Sequence, residues 1–379
     1  MASRLLHLFV APTACDRHNN INFIRFVAAS AVIYGHMAHI MGVPGPMLCG
    51  QSIASLAVKI FFAVSGFLIT QSFLRDGHPF RYLIRRIFRI FPGLIFVVLV
   101  TTFLFGPLVS ILSPSEYLTH PATWDYLYNC ILNPRYALPG VFAAAPYPDV
   151  MNGSLWTLPV EFSLYLLLPL LLVPLRALNI EKVGILVLAV GCSVLDLCNM
   201  AGIIDLSHIV WGTRVGDAMV LVPYFFFGAL AVYPEVRSKF NLQLSIALLI
   251  MLVAVHTSVD WKYEIFVLLV LPYVTLSWAL ATPAVFGRVF AVNDYSYGIY
   301  LWAFPIQQML VYGLGPQAMG LMAYSVLAFC CTLPCAMVSW FLVEQPCSRL
   351  GKRLTTWSRV REKASRTAES TVESGKKNR

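Results

Sequence analysis

The sequence predicts an all-α integral membrane protein of about ten transmembrane helices with both termini in the cytoplasm. Three observations predict it. Of the 379 residues, 58% are hydrophobic and only 12% are charged, against about 25% charged residues in an ordinary soluble domain, and mean hydropathy is +0.72. The apolar residues collect in windows close to the roughly 20 residues that an α-helix needs to cross hydrocarbon. Basic clusters fall on alternate connections, and an excess of Lys and Arg marks the cytoplasmic side.

Taken in order, the windows are 21–41, 53–73, 90–112, 154–175, 183–200, 212–233, 241–258, 263–281, 294–314 and 320–343. Arg4 and Arg17 precede the first, and Arg75, Arg81, Arg85, Arg86 and Arg89 follow the second. Arg176 and Lys182 follow the fourth, Arg237 and Lys239 the sixth, Arg288 the eighth, and ten more basic residues the tenth. Simple alternation puts all of these on one side, which supports the count. The short apolar stretch Leu5–Pro12 is a cytoplasmic lead-in rather than a signal peptide, because its flanks are weakly basic.

The net charge of +9 is therefore topological and implies no nucleic-acid partner; the bilayer is the partner it fits. Nine cysteines, an odd number placed mostly in apolar windows, make no disulfide framework, and neither CxxC nor HExxH occurs, so no metal site is expected. The longest connection on the outer side, Ser113–Gly153, is a candidate external cap whose Trp124, Tyr126, Tyr128, Tyr136 and Tyr147 are suited to stacking on sugar rings. Residues 1–347 form the polytopic domain. The stretch 348–379 reads as a basic, disordered cytoplasmic tail suited to anionic headgroups.

An ionisable side chain inside hydrocarbon costs about 2.5–3.5 kcal/mol on insertion scales and needs a partner or a wet cavity. Arg25 and His36 are eleven residues apart on the first window, about three helical turns, so they share a face about 16 Å apart along the axis. Arg25 reads equally as an interfacial snorkelling residue, and His36 alone as a packing histidine; His39 is structural. Ser65-Gly66 in the second window suits close backbone approach, and Lys59 in its outer half needs an acceptor. Arg85 and Arg89 project from one face of the third helix beside Arg86, where anchoring competes with a grip on phosphate. Glu161 opens the fourth window with Trp156 above and Tyr165 below, and must pair or protonate; His36 and Lys59 are the partners in reach. Arg214 and Asp217 neutralise each other, and Asp294 and Glu344 act as caps or ion-pair partners.

These pieces in this order resemble the membrane acyltransferase-3 family. The matching stretches are the R-x10-H pair Arg25 and His36, FFAVSGFLI at Phe61–Ile69, RRIFR at Arg85–Arg89, WTLPVEFSLY at Trp156–Tyr165, YSYGIYLWAFPIQQ at Tyr295–Gln308 and EQP at Glu344–Pro346. Ala303 stands where many members have histidine. The resemblance implies an enzyme of a bacterial inner membrane that moves an acetyl group from cytoplasmic acetyl-CoA, a co-substrate and not a resident cofactor, to a hydroxyl of a surface, secreted or lipid-linked glycan. It further implies donor binding by Arg25, Arg85, Arg86 and Arg89, and catalysis by His36, as general base or acyl carrier, with Glu161 orienting it. Lys59, Tyr34, Trp156 and Tyr165 are candidate oxyanion or acceptor contacts. No esterase-like extracellular domain of the kind some members carry follows, so direct transfer is expected. The competing class is a glycolipid transporter or flippase using the buried His and Glu as a proton path; it predicts two related halves, and none is visible.

Overall fold

The computed structural model describes residues 19–48, 50–254, 261–280 and 294–358. The lead-in with Arg4 and Arg17, the ends of windows seven and eight with Arg288, and the tail after Ser358 lie outside the described residues.

Each apolar window holds a helix. These are α1 (Ile21–Ile40), α2 (Ile53–Asp76), α3 (Pro79–Val100), α4 (Thr157–Ala177), α5 (Glu181–Met200), α6 (Val222–Leu230), α7 (Leu242–Ala254), α8 (Trp261–Ala279), α9 (Ser296–Leu314) and α10 (Leu321–Ser339). Among the described residues, six helical lengths are long and apolar enough to cross a membrane, with three shorter apolar helices beside them. The chain is an all-α membrane protein. The α9 helix is the polar exception, and packing accounts for it: most of its residues, from Ser296 to Gln308, are buried among neighbouring helices, away from lipid.

Local chemistry sets the ends and irregularities. The Ser52 hydroxyl caps α2 by accepting from the Ser55 amide, and Gly77 ends it at φ 66°, a left-handed turn that glycine adopts without strain. The α3 helix loosens into a π-turn at Thr101–Phe105 just before Pro107, whose ring nitrogen has no proton to donate; the Tyr117 hydroxyl donates to the Thr102 carbonyl at 2.8 Å instead. A second π-turn at Trp340–Glu344, ahead of Pro346, rotates Glu344 inward, where it is 1% exposed. The α10 helix then runs on to Ser358, past the boundary at 347 that composition suggested, because Gly351 lets its backbone lie against Phe88 of α3.

Two cores hold the helices. The larger surrounds α2, and a smaller one joins α1, α9 and α10 through Ile33, Met37, Ile299, Ala303, Tyr324 and Ala328. The α2–α6 crossing uses glycine on both sides: Gly66 lies on the Phe225 carbonyl and Gly228 on the Ala63 carbonyl, so that a Cβ at either position would overlap the oxygen. This is the close approach expected of Ser65-Gly66.

The cap is a packed unit. Ser113 and Glu116 form a capping box, and hydrogen bonds from the Ser113 hydroxyl and amide hold the exposed Glu116 carboxyl below its ordinary range. Gln308 donates to the Tyr147 and Val150 carbonyls at 2.8 Å each, and Asn152 donates to Leu301 at 3.0 Å, which ties the cap to α9. Tyr126 is 0% exposed and so is withdrawn from the proposed sugar platform, since the cap needs it as core. The sixth window also differs from expectation. Ile209–Val210 pairs with Thr213–Arg214 as a short antiparallel hairpin, so Arg214 is extended and the helical spacing to Asp217 does not apply. No ion pair joins the two among the described residues.

Candidate active site

The α2 helix organises the interior. Ser55, Val58, Phe62, Ser65, Leu68, Ser72 and Arg75 recur at steps of three and four, a stripe about 30 Å long that winds by about 160° around the helix axis from Ser55 to Arg75. Three cavities open along it in sequence. Ser55 and Val58 line the first, of about 540 Å³, together with His36, His39, Trp156 and Tyr300. Val58, Phe62 and Ser65 line a narrow waist of about 40 Å³ with Arg25, Glu161 and Tyr300. Leu68, Ser72 and Arg75 line the third, a mouth of about 550 Å³ shared with Asp76, Arg85 and Arg86.

His36 is half-buried on α1 with its Nδ1 unpartnered and its ring edge-on to Phe304 at 5.4 Å. Trp156 and Tyr300 line the same cavity. The Tyr300 hydroxyl donates to the Ser154 carbonyl and meets Thr157 Oγ1, each at 2.5 Å. Tyr300 and Asp217 are cavity residues that sequence reasoning missed. The only signal for Tyr300 was a tyrosine inside an apolar motif. Tyr34 is not among the lining, because two residues along α1 turn it about 200° from His36.

Glu161 does not reach His36. Its Oε1 accepts from Ser65 Oγ at 3.0 Å and from the Tyr165 hydroxyl one turn below, so the expected carboxylate–imidazole pair is corrected. The reason is azimuth: Glu161 faces α2, and the hydroxyl in register there is Ser65. Lys59 is likewise withdrawn as an oxyanion contact. It is 2% exposed, bonded to Glu264 at 2.5 Å and Gln51 at 2.9 Å, and lies over the Tyr224 ring.

The arginines divide into two groups. Arg25 and Arg89 are committed to carboxylates, at 2.5 and 2.8 Å from Asp294 Oδ2, and Arg89 reaches Glu344 at 3.2 Å. Arg89 is further enclosed by the Tyr297 and Trp340 rings. The carboxylates expected to be caps or ion-pair partners thus take the place expected of donor phosphates at these two positions. Arg85 lines the mouth but is bonded to Asp76 at 2.6 Å. Arg86 meets no carboxylate among the described residues: its Nη2 meets Ser72 Oγ at 3.4 Å, its Nε is unpartnered there, and it lies over the Tyr82 and Tyr165 rings. Ala303 is buried in the smaller core, outside the cavities described. Among the described residues no group of three His, Cys, Asp or Glu is arranged to hold a metal ion.

A helical membrane protein with a cationic mouth at one end of the α2 stripe and a histidine cavity at the other has the parts of a membrane-embedded acyltransferase. Comparison with known proteins makes that class definite. The family model for the acyltransferase-3 domain matches residues 18–341, so the chain belongs to the acyltransferase-3 family and is a multi-pass membrane enzyme. It is 30% identical to a protein named O-acetyl transferase from Shigella phage Sf6, over 87% of this chain and 96% of that one. It is 28% identical to Nodulation protein 10 of Rhizobium leguminosarum bv. viciae, over 88% of this chain and 94% of the other. No solved structure matches the chain.

Proposed function

We propose that this enzyme moves an acetyl group from cytoplasmic acetyl-CoA to a hydroxyl of a surface, secreted or lipid-linked carbohydrate, at a bacterial inner membrane that it crosses ten times with both termini inside. The observation that carries the reading is the α2 stripe. It runs from a mouth where Arg86 meets no carboxylate among the described residues, past the waist, to the cavity holding His36, and its length of about 30 Å matches a hydrocarbon core. The name of the phage relative supports acetyl as the group transferred.

In this reading the donor enters at the mouth and its uncharged arm runs along the stripe past Ser65 and Glu161. The acceptor sugar lies in the outer cavity against Trp156. Neutral His36 takes the proton of the acceptor hydroxyl as that oxygen bonds to the thioester carbonyl carbon. The tetrahedral intermediate collapses with cleavage of the C–S bond, the imidazolium returns the proton to the leaving sulfur, and the ester and the CoA thiol depart. Glu161 lines the route and orients Tyr165 beneath Arg86.

The test is mass analysis of surface and lipid-linked glycans from cells with the chain, without it, and with His36→Ala. Acetyl esters present with the chain and lost in both other strains are expected. Identical glycans with and without the chain would end the carbohydrate proposal, and full acetylation in H36A would end the role of His36.

A further inference from the structure

The mouth has a wall that the family's matched stretch does not reach. Residues after 341 lie outside the match, yet the extension of α10 to Ser358 closes one side of the mouth with Lys352, Thr355 and Thr356. It is held there. Gly351 packs on Phe88, and a Cβ at Gly351 would come within 2.8 Å of that side chain; the Ser348 hydroxyl lies 3.5 Å from the Phe88 carbonyl. Both threonine hydroxyls donate to the Lys352 carbonyl, at 3.0 and 2.9 Å, so they shape the wall while the lysine supplies the charge.

The cavity is strongly cationic. Arg75, Arg85, Arg86 and Lys352 face one carboxylate, Asp76, and Asp76 is already taken by Arg81 and Arg85 at 3.0 and 2.6 Å. Arg75, Arg86 and Lys352 form no ion pair among the described residues. They stand on three separate elements, α2, α3 and the α10 extension, around about 550 Å³ of space. Cations so disposed suit a polyanion with phosphates at more than one point, rather than a single small anion.

We infer that the extension of α10 is part of the donor site, and that Lys352, with Arg75 and Arg86, binds the phosphates at the nucleotide end of the acyl-CoA. The inference rests on the donor reading above and deepens it: recognition of the nucleotide is assigned to a segment beyond the matched domain, while Arg25 and Arg89 are excluded from it by Asp294 and Glu344. Phosphate is also the chemistry of a lipid headgroup, so the test separates the two sources.

The full chain is placed in nanodiscs of phosphatidylcholine alone, and binding of CoA, 3′-dephospho-CoA and pantetheine is measured by calorimetry. The wild type is expected to bind CoA at least tenfold more tightly than pantetheine. Lys352→Gln and Arg75→Gln, both at exposed positions, should each weaken CoA five- to tenfold without changing pantetheine affinity or the melting temperature. Lys239→Gln, a basic residue away from the mouth, should change nothing. Tight CoA binding by the wild type that K352Q and R75Q leave unaltered overturns the inference and leaves the donor reading intact. Failure of the wild type to bind CoA or pantetheine overturns both. A wild-type affinity equal to that of K352Q in phosphatidylcholine, but lowered in the wild type alone by added phosphatidylglycerol, assigns the lysine to headgroups and overturns the inference.

Discussion

Replacing Asp294 by asparagine tests the ion network that holds α1, α3, α9 and α10 together. Asp294 Oδ2 takes Arg25 at 2.5 Å and Arg89 at 2.8 Å, and the three side chains are only 16–20% exposed. Glu344, the fourth member, is buried, pairs with Arg89 and accepts from the Ser339 hydroxyl at 3.0 Å. The network sums to zero, two arginines against two carboxylates; D294N leaves it at +1 and leaves Arg25 with no carboxylate. The amide keeps the shape and its oxygen still accepts from Ser296, which donates to Oδ1 at 2.5 Å in the wild type, so charge is the only large change. Removing one partner of a buried ion pair costs about 3–5 kcal/mol. At about 2 °C per kcal/mol for a large chain, the melting temperature should fall by about 6–10 °C. Intrinsic tryptophan fluorescence of the purified protein in detergent reads this directly. The double variant R25Q/D294N restores neutrality, with Arg89 and Glu344 still paired, and should recover more than half of the loss. A D294N melting temperature within 2 °C of wild type, or a double variant no better than the single, would refute the argument that these charges stabilise the helix crossing.

Two further perturbations follow from the packing. Gly66→Val puts a branched side chain against the Phe225 carbonyl; overpacking of this kind costs about 1–3 kcal/mol, and the thermal scan should show a clear loss where Leu68→Val, on the same stripe, shows a smaller one. Lys59→Met strands Glu264 in the interior beside Asp196, which is itself 3% exposed, at about 3–5 kcal/mol. K59M/E264L should recover most of that and retain glycan acetylation in the cell assay; loss of acetylation by a well-folded double variant would return Lys59 to the chemistry.

The helix windows were legible because apolar length and flanking charge are properties of one segment at a time. Partnerships were not. Glu161 was rightly placed in the interior, yet its partners are Ser65 and Tyr165, because a helical wheel gives depth and face but not which neighbour turns toward that face. The same gap sent Lys59 toward Glu161 when Glu264, from a helix two hundred positions on, holds it. Asp294 and Glu344 were read as caps or ion-pair partners, and both are ion-paired, but the claim of Glu344 on Arg89 follows the π-turn at Trp340–Glu344, which a proline two residues later only hints at. The α10 extension was missed because composition registers Lys, Arg, Ser and Thr as solvated tail, whereas one glycine at 351 is enough to dock it on α3.

The waist has a consequence for the cell that houses the enzyme. In the proposed transfer the chemistry begins on one side of a membrane and ends on the other, which invites a leak, and the two large cavities between them would hold many waters. Between them along α2 lies a cavity of only about 40 Å³, room for about three water molecules, rimmed by Phe61, Phe62 and the Tyr297 and Tyr300 rings. A thin flexible acyl chain fits such a gap lengthwise, whereas an ion with its hydration shell is too wide. On the proposed reading an acyl group crosses there while the ion gradient stored across the same membrane stays intact.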